Sequence, residues 1–197
     1  MKENNRAGFL VRACAFIVDM FLIACVASLL SMPFVDQDNA EKINKEMSEI
    51  VQKGTSQEIS MDTYVSELKP LLYQSDRNNG VYTICVLVLS ILYFIVYQFY
   101  TKQTIGKKIF KIKVEANKGE LTMNNMLFRG LIINSILFSL LSFIFVIFGN
   151  VDTYYVAKMT VNSIYYLILL TSACMIIFNK ERRGLHDVIC NTRVVKC

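Results

Sequence analysis

The sequence holds one histidine, two prolines and eight glycines in 197 residues. So little proline and glycine argues against a disordered chain and against a loop-rich secreted scaffold. Six cysteines are present, but no Cys-x-x-Cys pair occurs, and the lone His186 cannot complete a zinc cluster. No metal or cofactor is assigned. Cys14, Cys25, Cys85 and Cys174 lie in apolar runs, and Cys190 and Cys197 lie near the C-terminus. All six are expected to act as small buried hydrophobes. No paired acids and no nucleophile–base pair stand at useful spacing, which speaks against an enzyme. A phosphate loop would need a glycine where Thr101 stands, five residues before Gly106, so nucleotide binding is not expected.

What the chain does have is apolar length. Hydrophobic residues make up 54%, and the mean hydropathy is +0.40. Four windows can each cross a bilayer core of about 30 Å at about 1.5 Å per helical residue. Ala13–Met32 carries one charge, Asp19, while Val81–Tyr100, Gly130–Gly149 and Met159–Phe178 carry none. The first window is too long for a signal-peptide core and is interrupted by Asp19, so it is read as a span. The spans are expected at about 10–32, 81–100, 129–149 and 157–178, within a single domain over 1–197.

Charge sets the expected orientation. Lys2, Arg6 and Arg12 precede or open the first span. The loop 101–126 holds six lysines against Glu115 and Glu120, and the tail 179–197 holds five basic residues against Glu181 and Asp187. The loop 33–80 instead has nine acids and five bases. The positive-inside rule then places both termini and loop 101–126 in the cytoplasm and loop 33–80 outside, as expected for a cell-membrane protein. Topology and anionic lipid account for the net charge of +5 without nucleic acid.

The loops carry structure of their own. Ile43, Met47, Ile50 and Val51 have helical spacing, and a second helix is expected near Tyr64–Tyr73, disturbed by Pro70. In TIGKKIFKIKV (104–114), Ile112 and Val114 alternate with Lys111 and Lys113, which is strand-like. The β-branched NTRVVKC (191–197) is expected to pair with it as a small cytoplasmic sheet. Lys107 and Lys108 are expected at headgroup level, in contact with anionic lipid. ERRGLHDVI (181–189) reads either as a charged latch or proton relay, or as a juxtamembrane anchor turning at Gly184. Ser135, Ser139 and Ser142 form a stripe on the third span, of the kind that marks close helix packing. The fold class is thus an all-α membrane protein: a four-span bundle with a small β element.

Asp19 is the costly residue. It shares a helix face with Arg12, about 10 Å deeper, and should face the bundle interior. It can pair with Arg12 or Arg129, line a wet cavity that binds a proton or cation, or sit protonated. As a buried pair it would serve helix register alone.

These residues form a known series. Arg12 and Asp19 stand in RACAFIVD; Thr104, Gly106, Lys107, Ile112 and Val114 in TIGKKIFKIKV; and Arg129 in LFRGL. Arg183, His186, Asp187, Thr192, Val194 and Val195 follow in RGLHDVICNTRVV. Taken in order, from about Ala7 to Lys196, they resemble the RDD family of membrane proteins. The outer loop is longer and more acidic than is usual there, and Cys190 replaces a small Ala or Gly. The resemblance implies a transporter, with some members similar to cation/proton antiporters and others to accessory subunits. The expected function is transport, of a cation coupled to protons or of a small solute. Asp19 would carry charge, tuned by Arg12 and Arg129, with Arg183, His186 and Asp187 as a gate. Four helices make a thin wall, so a homo-oligomer is expected in the lipid bilayer. The rival expectation is an assembly or regulatory subunit that holds a membrane-protein partner.

Overall fold

The computed structural model describes residues 5–197, so Lys2 lies outside the described part. Helix α1 (Phe9–Ser31) continues through a 3₁₀ turn at Met32–Phe34. Helices α2 (Gln37–Thr55) and α3 (Met61–Asn78) form a hairpin. Helix α4 (Gly80–Ser90) passes into a π-helical stretch, Ile91–Tyr97, and ends as α5 (Gln98–Thr101). Short α6 (Ile105–Ile109) and strand β1 (Ile112–Ala116) follow. Helices α7 (Met123–Ile133), α8 (Ile136–Phe148) and α9 (Val151–Phe178) complete the bundle. Short α10 (Leu185–Ile189) and β2 (Thr192–Lys196) close the chain.

Phe9–Phe34, Gly80–Thr101 and Val151–Phe178 are each long and apolar enough to span a membrane. The bent pair α7 and α8, which meet at 58°, together have the length and apolarity of a further span. Outward-facing Phe21, Leu29, Phe148 and Leu167 are exposed, as side chains covered by lipid would be.

The bend departs from the continuous third span expected from composition. Ser135 has φ 54°, in the left-handed region, and no helix continues through such a residue. The Tyr165 hydroxyl donates to the carbonyl of Ile133 at 3.1 Å, satisfying an acceptor that the break releases. Ser135 therefore does not extend a stripe with Ser139 and Ser142; it sits at the break.

The α2–α3 hairpin is longer than its periodic core implied. Asp36 and Ser60 cap its helices by accepting from the backbone N–H of Asn39 and Thr63. Ile43, Ile50 and Leu71 form a core between them, with Met47, Ile59 and Tyr64 against it. Helix α3 runs through Pro70 without ending. At the hairpin's bundle side, Asp76 accepts from Tyr154 (2.5 Å) and Lys158 (2.7 Å), which ties α3 to α9.

The expected sheet is present at the opposite end. Strands β1 and β2 pair antiparallel, from Ile112 with Lys196 to Ala116 with Thr192. The inward residues Ile112, Val114 and Val194 pack on Ala7, Ala15 and Met126, so the sheet caps α1 and α7. The cysteines do not share one role. Cys190 is buried, whereas Cys14, Cys25 and Cys174 are exposed on the spanning helices. A thiol is apolar enough to face lipid as well as a core.

Candidate functional site

Asp19 is buried and pairs with no arginine; its partners lie on the π-helical stretch and at α6. Tyr93 donates to Oδ1 at 2.6 Å, and the Gly106 N–H donates to the same oxygen at 2.7 Å. Thr104 donates to Oδ2 at 2.5 Å. The T-I-G segment is thus a receptor for a carboxylate. Thr104 also caps α6, accepting from the Lys107 N–H at 3.3 Å. A Cβ on Gly106 would strike the Ala15 carbonyl oxygen and stand 2.9 Å from Asp19 Oδ1. Only glycine lets α6 come this close to α1. Tyr93 in turn accepts from the Ile105 N–H at 2.7 Å, so the network is closed on both sides.

The arginines converge instead on Asp187. Arg12 Nη1 donates to Asp187 Oδ2 at 2.6 Å, and Arg129 Nη1 donates to Oδ1. Thr192 Oγ1 lies 3.2 Å from Oδ1, and the Gly184 N–H donates to Oδ2 at 3.3 Å. Arg12 also reaches the carbonyls of Ala7 (3.1 Å) and Arg182 (2.7 Å). Arg183 binds the carbonyls of Thr192 (3.1 Å) and Asp187 (3.0 Å), clamping the α10–β2 turn. Burial alone would raise the Asp187 carboxyl, but Arg129 and Arg12 hold it well below the usual carboxylate range.

His186 accompanies this cluster as a neutral ring. Burial pushes it down to about 3, against the attraction of Asp187 and helped by repulsion from Arg129 and Arg12. Its Nδ1 lies 2.7 Å from Ser172 Oγ. A ring neutral at physiological pH is poorly suited to the proton relay read from ERRGLHDVI.

Lys107 and Lys108 separate. Lys108 is exposed and donates to the Tyr97 hydroxyl at 3.0 Å. Lys107 turns inward and lines a cavity of about 590 Å³. Burial, then repulsion from Arg129, pushes its amine down to about 7. It takes part in no ion pair among the described residues. Arg12, Asp19, Arg129 and His186 also line this cavity, so five of the eight sequence-selected residues meet there. Asp187 sits just behind its wall through Arg12 and Arg129. Phe16 of α1, Phe94 of the π-helical stretch, Ile133 of α7 and Leu169 of α9 form its apolar sides.

A match to the family model of the RDD family covers residues 6–191. The chain belongs to the RDD family. No curated protein and no solved structure matches it. In this RDD protein Arg12, Asp19 and Asp187 do not form one cluster. Arg12 crosses to Asp187, while Asp19 on the same helix binds α6. No group of three metal-ligating side chains occurs among the described residues.

Sequence reasoning missed Tyr93 and Ser172, which carried no motif signal of their own. It also missed the Asp76–Tyr154–Lys158 cluster, whose Asp76 stands 78 and 82 positions before its partners. Gln98 is buried, and its Nε2 has no partner among the described residues.

Proposed function

We propose that this RDD protein is a membrane transporter whose solute site is the 590 Å³ cavity between the spanning helices. The observation that carries the reading is the convergence of Arg12, Lys107 and Arg129 on one largely apolar cavity inside the bundle. Its volume lies in the range of about 300–1,000 Å³ typical of small-molecule sites. Three cations line the cavity with one carboxylate, Asp19, which is already engaged, while Asp187 behind the wall pairs with Arg12 and Arg129 and leaves Lys107 without an ion-pair partner among the described residues. That balance favours a small anionic solute over cation/proton exchange. Asp19 then acts as the anchor of α6, and release of α6 from Asp19 would open the cavity.

The sheet end is read as cytoplasmic, in a cell membrane, because Lys102, Lys108, Lys111 and Lys113 gather there. A homo-oligomer remains the expected assembly, since four spans enclose a cavity thinly. A second reading, an assembly or regulatory subunit, draws support from the α2–α3 hairpin, which has its own core and is a ready surface for a membrane-protein partner.

Proteoliposomes test the choice. Sodium, potassium and lithium gradients with an internal pH dye report cation exchange, and a panel of labelled organic acids reports anion movement. Organic-acid flux that falls at least about ten-fold in Lys107→Gln is expected. Cation-driven proton flux lost in Asp19→Asn would overturn the anion reading. No flux, with one stoichiometric partner on purification, would favour the subunit.

A further inference from the structure

The walls of the cavity lie inside the spans. Phe9, Ala13 and Phe16 follow one face of α1, and Tyr166, Leu170 and Ala173 follow one face of α9. The cavity therefore lies between these two helices, which touch only sparsely. Tyr166 and Leu170 line it while remaining 65% and 62% exposed, so its mouth is beside them. They stand 12 and 8 residues before Phe178, roughly 18 and 12 Å along α9 from the sheet end of the span. A mouth at that depth in a spanning helix faces lipid rather than water.

The charged side chains gather on one wall, around Asp187 and α6. Lys107 on α6 and His186 on α10 belong to the segments that close the sheet side of the bundle. Arg12 is near the start of α1 and already shares Asp187 with Arg129. Lys107 is the one cation on the cavity wall without an ion-pair partner among the described residues. Asp19 also lines the cavity, but its carboxylate is already engaged by Tyr93, Thr104 and Gly106, so the cavity has one charged wall at Lys107, Arg12 and Arg129, largely apolar sides, and a sideways mouth.

We infer that the cavity binds a single-chain anionic amphiphile drawn from the bilayer, its acidic head at Lys107 and its chain between α1 and α9. The carboxylate or phosphate head would supply the missing counter-charge, and the chain would lie along Phe16, Phe94 and Leu169. The volume of about 590 Å³ suits one small molecule of this kind. A purely polar solute would leave the apolar walls unused, and a neutral one would leave Lys107 unpaired. This inference rests on the same cavity as the transport reading, but it concerns binding and needs no flux.

The chain has no tryptophan, so Leu169→Trp adds a single selective fluorophore to the cavity wall. The protein, reconstituted in nanodiscs, is titrated with a terminally brominated fatty acid and with the matching brominated alcohol. Bromine quenches the indole on contact. Leu167→Trp, on an exposed face of α9 outside the cavity, reports general partitioning into the bilayer. Saturable quenching is expected only at Leu169→Trp, with the acid at least about ten-fold tighter than the alcohol. Adding Lys107→Gln should remove that preference, and Lys107→Arg should retain it. Equal action of acid and alcohol, or equal quenching at the two reporter positions, would overturn the inference. Acid-selective binding without flux would sink the transport reading alone, whereas flux of a polar anion without amphiphile binding would sink this inference alone.

Discussion

Arg12 Nη1 lies 2.6 Å from Asp187 Oδ2 across a separation of 175 positions. Arg12 therefore holds the two ends of the chain together rather than serving Asp19, its neighbour two turns up the same helix. The shared carboxylate also draws in Arg129 from α7, so α1, α7 and α10 are joined at one side chain.

Removing that side chain should be severe. Asp187→Asn leaves two guanidiniums without compensation in a buried place, which costs about 3–5 kcal/mol. Arg12→Ala should cost less, because Arg12 keeps some exposure and Arg129 remains paired. Unfolding of the detergent-purified variants in denaturant checks the order. A smaller loss in Asp187→Asn than in Arg12→Ala would refute it.

The Asp19 receptor predicts a steric effect distinct from a polar one. Thr104→Val removes one hydrogen bond to a charged group, worth about 1.5–3 kcal/mol. Gly106→Ala keeps every polar group but drives a methyl into the Ala15 carbonyl, so α6 must move away. Modification of a cysteine introduced by Ile105→Cys should accelerate in Gly106→Ala, as α6 spends longer detached. Unchanged labelling would show that α6 tolerates the methyl in place.

Lys107 gives a pH dependence of definite sign. Its amine is down at about 7 in the folded protein against an ordinary 10.5. Between these values the unfolded chain binds the extra proton, so stability should rise as pH increases from about 7 towards 10.5. The rise should be smaller in Lys107→Gln, measured as Tm against pH for both proteins. A bound anion would hold the amine protonated and flatten the same curve.

His186 is the sole histidine, which makes its titration directly visible by NMR. With its value pushed to about 3, the ring should stay neutral across the interval of about pH 5–8 in which free histidine titrates. The unfolded chain binds the proton between about 3 and 6.5, so this contribution to stability is lost as pH falls through that window. A midpoint near 6.5 in the folded protein would mean that the ring is solvated and open to a relay role.

Ser135 stands at φ 54°, where a glycine has no Cβ to strain. Ser135→Gly should leave stability unchanged or raise it slightly, whereas Ser135→Val should cost at least about 1–2 kcal/mol. Thermal unfolding of the two variants decides the matter, and equal values would locate the cause of the bend elsewhere.

The legible parts of the molecule were those with a local signal. The alternation of Ile112 and Val114 with lysines gave β1, and the β-branched run at Thr192–Lys196 gave its partner. Each apolar window falls on a long apolar helix or helix pair, but Asn134 and Ser135 interrupt one without any glycine or proline at the break to announce it. The lysines of loop 101–126 imply a segment at headgroup level. Part of it instead enters the bundle, since Thr104 and Gly106 join Tyr93 in satisfying a carboxylate that no arginine reaches.

By itself, the sequence determined that the chain carries several membrane-spanning helices and a two-stranded element, and that Asp19 must point inward. Each follows from length, periodicity or the cost of a charge in lipid, all of which act on neighbouring residues. Only the tertiary structure decided that Arg12 belongs to Asp187, that Tyr93 and α6 belong to Asp19, and that Lys107 faces a cavity while Lys108 faces outward. Spacing along one helix shows which residues share a face, but not what arrives to cover that face when distant segments fold back onto it.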